Sequence, residues 1–126
     1  MGVVTAPASV GGMNNKKDLQ NFDAFTVSIE LIRALVPLLR RIAPANPELG
    51  KQLRKAADSI SLNIAEGRRR IGGDRLHLWR IAAGSNDEVR ACLHVAEAWG
   101  ILTAQQSEDA LDHIDRIGAM LYRLTH

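Results

Sequence analysis

The chain has 126 residues, a length that suits one domain with one hydrophobic core. Its composition, 46% hydrophobic and 24% charged with only two Trp, one Tyr and two Phe, favours an aliphatic core between packed helices. A single cysteine excludes an intramolecular disulfide, and the chain has neither a spanning apolar run nor a secretory signal pattern, so we expect a cytoplasmic protein.

Charge is distributed unevenly along the sequence, although the net charge is only +2. Residues 51–80 contain eight Lys or Arg and three Asp or Glu, whereas residues 81–126 contain three Lys or Arg and seven Asp or Glu. This asymmetry indicates either an anionic partner for the basic half or packing of the two halves against each other.

The first residues show no apolar periodicity, and we predict a disordered leader over residues 1–20 before a four-helix domain over residues 21–126. Apolar residues then recur at helical spacing and predict a first helix over 22–43. Pro37 lies inside this run, so we expect a kink there or a break near Val36.

A second helix is predicted over 47–69, with Asn46 as its N-cap and Pro47 at its first position. Its small side chains would let a neighbouring helix approach closely. The residues of its predicted inward stripe are Leu49, Leu53, Ala56, Ala57, Ile60, Ile64 and Gly67.

Two further helices follow after the Gly-Gly pair at 72–73. The third is predicted over 74–99, with Asp74 as its cap and Gly100 as its stop. The fourth is predicted over 104–125, because Thr103 and Gln106 have the spacing of a capping box. Four helices with short connections predict an all-α, antiparallel, up-down-up-down four-helix bundle.

The third helix has more apolar surface than one bundle seam requires. Its apolar residues spread around most of the cylinder, which predicts burial on more than one side and therefore contact with a partner subunit in a homo-oligomer. The alternative is that the leader covers the extra face. These apolar residues are Leu76, Leu78, Trp79, Ile81, Ala82, Val89, Cys92, Leu93, Val95, Ala96 and Trp99.

Polar residues interrupt the second and third helices at matched places. Asn63 and Glu66 lie one turn apart on the second helix, as do Ser85 and Glu88 on the third. If the helices are antiparallel neighbours, these four side chains are predicted to form a hydrogen-bonded polar layer that fixes helix register. The alternative is a small helical enzyme that uses Glu66 and Glu88.

The sequence contains no motif that indicates a metal-binding or cofactor-binding site. The sequence has no Glu-x-x-His pair of the di-iron bundles, its four histidines do not have zinc-site spacing, and Asp74-x-x-His77 is the only near match. It also lacks a phosphate-binding glycine loop and a nucleophile elbow. We therefore predict neither a cofactor nor a metal.

The basic residues point to a different kind of site. Clustered at one end of the hairpin formed by the second and third helices, they would bind nucleic-acid phosphates without reading bases. A solvated surface paired with the acidic fourth helix is the alternative. The predicted contact residues are Lys51, Arg54, Lys55, Arg68, Arg69, Arg70 and Arg75.

The sequence resembles the four-helix-bundle proteins encoded in intervening sequences of bacterial large-subunit ribosomal RNA genes. The resemblance covers about residues 22–124 and depends on Asn-Ile-Ala-Glu-Gly at 63–67 and Ala-x-Gly-Ser-x-x-Glu at 82–88. The residues that match the family motif are Asn63, Glu66, Gly67, Gly84, Ser85 and Glu88, and those that match its usual charged positions are Arg54, Arg68 and Arg69.

That family is related in fold to the accessory variability proteins of diversity-generating retroelements, which form homopentameric barrels, bind nucleic acid and associate with a reverse transcriptase. The resemblance therefore implies a non-catalytic homopentameric scaffold that binds RNA or DNA, with a reverse transcriptase as a protein partner and no membrane. A protein-interaction scaffold without nucleic-acid binding is the second interpretation.

Overall fold

The protein folds into four helices that pack as an antiparallel bundle. In a computed structural model that describes the backbone of residues 16–126 and the side chains from residue 23, they are α1 (Lys16–Ala45), α2 (Pro47–Arg68), α3 (Gly72–Ala98) and α4 (Ala104–Thr125). Each helix packs against its sequence neighbours, and α1 closes the bundle against α4. The prediction of an all-helical protein with four helices and no strand is confirmed for this part of the chain.

α1 is longer than predicted at its start and is not broken at Pro37. It begins at Lys16, six residues before the expected position, because residues 16–21 contain no Gly or Pro that would stop it. Pro37 cannot donate a hydrogen bond to the carbonyl of Arg33, four residues earlier. Because both residues are exposed, water can reach that carbonyl, and the helix continues. The leader predicted over residues 1–20 lies mostly outside the described residues.

Two of the three predicted side-chain caps at helix starts are confirmed. The Asn46 side chain accepts a hydrogen bond from the Leu49 N–H at 3.1 Å, and Pro47 is the first residue of α2. At α4, the Thr103 hydroxyl accepts from the Gln106 N–H while the Gln106 side chain accepts from the Thr103 N–H.

The predicted cap at Asp74 is wrong. α3 begins two residues earlier, at Gly72, whose φ of +60° suits glycine, and Ile71 occupies the N-cap position without a side-chain hydrogen bond. Asp74 lies instead in the first turn, where its charge is favourable to the helix dipole. At the other end, Gly100 adopts a φ of +76° and stops α3 as predicted.

Among the side chains that the structure describes, the core is aliphatic except for one buried aromatic residue. The whole predicted inward stripe of α2 is buried, and α4 contributes Ile114, Ile117, Leu121 and Leu124. Trp79 of α3, only 2% exposed, donates its indole N–H to the Ile64 carbonyl of α2 at 3.3 Å. The α2–α3 hairpin is therefore closed by a large ring and a hydrogen bond.

Gly67 is what lets Trp79 approach α2. A Cβ atom built on Gly67 would lie 2.5 Å from Trp79 Nε1 and 2.6 Å from its Cδ1, closer than any real contact. Gly84 offers a matched contrast, since it is exposed inside α3 and a Cβ there meets nothing within 4 Å. The first glycine is required by packing, and the second is not required by packing within one subunit.

We expect Gly67→Ala to lower the free energy of unfolding by about 1–3 kcal/mol, because the new methyl group must displace the buried indole. Gly84→Ala should raise it by roughly 0.5–1 kcal/mol, because alanine is the better helix former at an open site. Urea unfolding at one fixed protein concentration measures both. Equal stability of the two variants would show that Trp79 is not held against α2 in this way.

Candidate nucleic-acid interface

Three of the predicted contact residues lie on the first half of α2. Lys51, Arg54 and Lys55 are exposed and form neither a hydrogen bond nor an ion pair with any described residue. They occupy the side of α2 opposite its buried stripe, since the core there is formed by Leu49, Leu53, Ala56 and Ala57. Their charges are therefore available to a partner.

Three arginines follow at the α2–α3 turn, and they differ in their surroundings. Arg70 is bound by Glu66, with 2.6 Å between its Nη2 and the carboxylate, and lies 4.0 Å from Asp74. Arg68 and Arg69 are exposed, and Arg69 has no hydrogen bond or ion pair through its side chain within the described part of the chain. The turn thus presents more positive charge than its own carboxylates neutralise.

Arg75 has a structural role. Its Nε donates to the Gly67 carbonyl at 3.1 Å and its Nη2 to the Arg68 carbonyl at 2.9 Å, so it caps the last carbonyls of α2. Its guanidinium carbon also lies 5.1 Å from the centroid of the Trp79 ring. Arg75 therefore fixes the turn, and its contribution to a partner is mainly through its charge.

The basic residues form two groups rather than one patch. Lys55 and Arg68 are 13 residues apart on one straight helix, which corresponds to roughly 20 Å at the helical rise. Asp58 and the exposed Leu62 lie between the two groups. The prediction of a single cluster at one end of the hairpin is corrected, because a helix as long as α2 carries its two ends to opposite ends of the bundle.

The structure joins two members of the predicted polar layer through a third residue. The hydroxyls of Ser59 and Ser85 lie 2.7 Å apart, across the α2–α3 seam. The Asn63 side chain donates to the Ser59 hydroxyl at 3.1 Å and to the Ser59 carbonyl at 2.9 Å. The resulting serine cluster of Ser59, Asn63 and Ser85 links α2 to α3.

Glu66 and Glu88 do not belong to this cluster. Because the helices are antiparallel, Glu66 lies seven residues from Ser59 toward the turn, whereas Glu88 lies three residues from Ser85 in the opposite direction. The two carboxylates are therefore separated by about ten residues of helix, or roughly 15 Å along the bundle. Glu66 binds Arg70 and Glu88 is exposed. They cannot act on the same substrate atom.

Several polar contacts are not predicted by the sequence. Ser61 of α2 donates to the buried hydroxyl of Ser28 in α1 at 2.9 Å, and the Asn86 side chain donates to the Ile114 carbonyl at 3.0 Å. The ring of Tyr122, which is 62% exposed, stacks on His126 with 3.9 Å between centroids. Their i,i+4 spacing on α4 is the only sequence signal for this stack.

The remaining titratable and metal-binding groups offer no further site. Burial raises the pKa of the Cys92 thiol, with a smaller contribution from the charge of Glu88, so the thiol stays neutral and unreactive at pH 7. Among the described residues, no three His, Cys, Asp or Glu side chains are grouped so that they could hold a metal ion. Nor does any helix there have the length and apolar content to cross a membrane.

These features define a helical bundle protein with exposed cations along one helix and around one turn. Comparison with protein families gives a specific result, because the family model for 23S rRNA-intervening sequence proteins matches residues 20–123. The chain belongs to this family. The predicted resemblance to ribosomal RNA intervening-sequence proteins is therefore confirmed.

A solved structure has the same fold. It is the crystal structure of a protein of unknown function from the S23 ribosomal protein family of Bacteroides thetaiotaomicron, with a TM-score of 0.77 and 19% sequence identity, and the match covers 90% of this chain and all of the other. A comparison with curated proteins finds no significant match. Neither family name refers to a retroelement.

Proposed function

We propose that the protein is a non-catalytic scaffold that binds RNA or DNA without strong sequence preference and assembles into a homopentameric ring. The observation that carries the proposal is the row of exposed, unpaired cations along α2 and its final turn, at Lys51, Arg54, Lys55 and Arg69. Release of counterions from neutralised phosphates would supply the binding free energy. The names of both matching families, which refer to 23S rRNA and to a ribosomal protein, support an RNA context.

The spacing of the two basic groups fits an extended polyanion better than a small anion. A nucleic-acid strand that lies along the outer side of α2 would meet Lys51, Arg54 and Lys55 at one end and the turn arginines roughly 20 Å further on. Between the two groups, the exposed Leu62 has no charge to repel such a strand, whereas the exposed carboxylate of Asp58 would be unfavourable to a phosphate placed directly beside it. Contacts to the backbone alone carry no sequence information, so binding is expected to be nonspecific.

Assembly into a ring is supported by apolar side chains that one subunit leaves exposed. Ile81 and Val95 of α3 are 39% and 42% exposed, and Trp99, directly after α3, is 73% exposed. Val95 and Trp99 lie 14 and 18 residues after Ile81, about four and five helical turns further along, which places all three on one side of the helix. In a single subunit this apolar stripe is exposed to water and adds nothing to stability, whereas a neighbouring subunit would bury it. Repetition of the basic groups around a ring would multiply weak phosphate contacts.

The enzyme alternative is not favoured by the geometry. Glu66 and Glu88 lie apart along the bundle, and the serine cluster is joined by hydrogen bonds that fix helix register. A scaffold that binds only protein is the second candidate, and the exposed apolar stripe of α3 supports it. A reverse transcriptase as the protein partner stays a prediction from the resemblance alone.

Replacement of Arg68, Arg69 and Arg70 together by Ala should weaken binding to all nucleic-acid sequences alike and flatten the salt dependence by about one unit of slope for each phosphate that the variant no longer neutralises. The matched control replaces Arg33, Arg40 and Arg41 of α1, which are exposed and have no hydrogen bond or ion pair through their side chains within the described chain. This control variant loses three positive charges, as the Arg68, Arg69 and Arg70 variant does. Fluorescence anisotropy with labelled RNA and DNA at about 50 and 200 mM salt measures both variants.

Equal reductions in affinity in the two triple variants would mean that only net charge matters and that the turn is not a contact surface. Complete absence of binding by the wild-type protein at about 50 mM salt, where phosphate contacts are strongest, would leave the protein-only scaffold as the better account. Circular dichroism of each variant shows whether the helices are retained.

The ring predicts a light-scattering mass of about five times the 13.8 kDa of one chain. Ile81→Lys should lower that mass toward one subunit, because burying an unpaired ammonium group in an apolar interface is costly. Val36→Lys on α1 is the matched control, since Val36 and Ile81 are both 39% exposed, and it should leave the mass unchanged. A wild-type mass of one chain at micromolar concentration would contradict the assembly.

A further inference from the structure

A stacked aromatic pair, Tyr122 and His126, lies exposed at the end of α4. The rings of Tyr122 and His126 are 3.9 Å apart between centroids and nearly parallel, with an interplanar angle of 16°. His126 Nδ1 lies 3.2 Å from both the Tyr122 carbonyl and the Thr125 hydroxyl, and that hydroxyl donates to the Leu121 carbonyl at 2.7 Å. The imidazole is thus held in place against the phenol ring.

The Tyr122 ring is open on its other side, since the residue is 62% exposed while His126 covers one face. A helix that buries Leu121 and Leu124 in the core has no packing need for an aromatic ring between them on its outer side. Such a ring on a rigid helix, backed by a second ring, presents a flat surface at low conformational cost.

Two contacts between α3 and α4 show where this ring lies in the bundle. Asn86 donates to the Ile114 carbonyl at 3.0 Å, and Arg90 forms an ion pair of 2.7 Å with Asp115. Tyr122 lies eight residues beyond Ile114, roughly 12 Å toward the end of the bundle where α3 begins. Eight residues back along α3 from Asn86 is Leu78, directly before Trp79, so the Tyr122 ring lies at the end of the bundle that carries the arginine turn.

This end of the bundle is basic. Residues 66–80 and 122–126 together contain six arginines and two acidic residues, and Asp23 of α1 is a further exposed carboxylate toward this end. Arg80 and Arg123, which flank the level of Tyr122, are exposed and have no hydrogen bond or ion pair through their side chains with the described residues. The opposite end, by contrast, offers Lys51, Arg54 and Lys55 but no stacked pair among those residues.

We propose that the stacked Tyr122–His126 pair is a platform for an unpaired nucleobase, with Arg80 and Arg123 contacting the phosphates beside it. This inference deepens the proposed function and depends on it, because it names the ligand as single-stranded nucleic acid. Bases inside a duplex are stacked on each other and cannot lie on the ring, whereas every unpaired base has a face to offer. The platform would therefore select strandedness and not sequence.

Tyr122→Leu removes the ring while keeping an apolar side chain suited to a helix, and Tyr122→Phe keeps the ring. With oligo(U) and oligo(dT) as single-stranded probes, and a hairpin duplex with the same number of phosphates, anisotropy titration should show that Tyr122→Leu binds the single strands about tenfold more weakly. Its affinity for the duplex should be unchanged, and Tyr122→Phe should match the wild-type protein. The two single-stranded probes distinguish RNA from DNA as the source of the base.

Each other outcome has a definite meaning. Wild-type affinity of Tyr122→Leu for single strands would overturn the platform while leaving the proposed phosphate binding intact. A similar reduction in Tyr122→Phe would assign the effect to the hydroxyl group, and an equal reduction on the duplex would assign it to a general contact, so both would overturn stacking. Absence of binding by the wild-type protein to all three probes would overturn the proposed function and the platform together.

Discussion

The close approach of Trp79 to the backbone of α2 at Gly67 is the contact on which the rest of the bundle's basic end depends. Because Gly67 has no side chain, the indole reaches the last turn of α2 and donates to the Ile64 carbonyl. Arg75, one turn before Trp79, then reaches the final carbonyls of α2 and lies against the same ring. One missing side chain thus determines how α2 ends and how α3 begins.

The close packing of Trp79 on Gly67 also brings arginine side chains to the end of α2. Arg75 donates to the Gly67 and Arg68 carbonyls at the end of α2, and Arg70 is held by Glu66 on the outer side of α2. Arg68 and Arg69 lie at the start of the short connection between α2 and α3, whose backbone is held by the hydrogen bonds of Arg75. A preorganised cationic turn loses less conformational entropy on binding an anion than a mobile tail of the same charge would.

Much of the fold could be predicted from single-helix rules, and the differences concern pairs of helices. Asn46 and the Thr103–Gln106 capping box reveal helix starts because a cap is a local hydrogen bond, and the α2 stripe is buried because period and apolar content are local too. The continuity of α1 through Pro37 could not be predicted, because it depends on which side of the helix the bundle leaves exposed.

The candidate site is harder to predict for the same reason. Sequence spacing places the polar residues of α2 and α3 in one layer, but antiparallel register pairs Ser59 with Ser85 and carries Glu66 and Glu88 away in opposite directions. Likewise, basic residues that form one patch by charge alone lie far apart along α2. Periodicity shows which face of a helix a residue occupies, whereas only the inter-helix contacts show which levels of two helices meet.

The most direct test of the central claim, that the arginine end of the bundle contacts nucleic acid, is photo-crosslinking with a 4-thiouridine oligonucleotide followed by mass spectrometry of the crosslinked peptides. The account predicts crosslinks within residues 66–80 and 122–126, at the arginine turn and the end of α4, with further crosslinks near Lys51, Arg54 and Lys55 on α2. It also predicts that these crosslinks disappear as salt is raised. Crosslinks confined to α1, or spread over every helix without salt dependence, would contradict it.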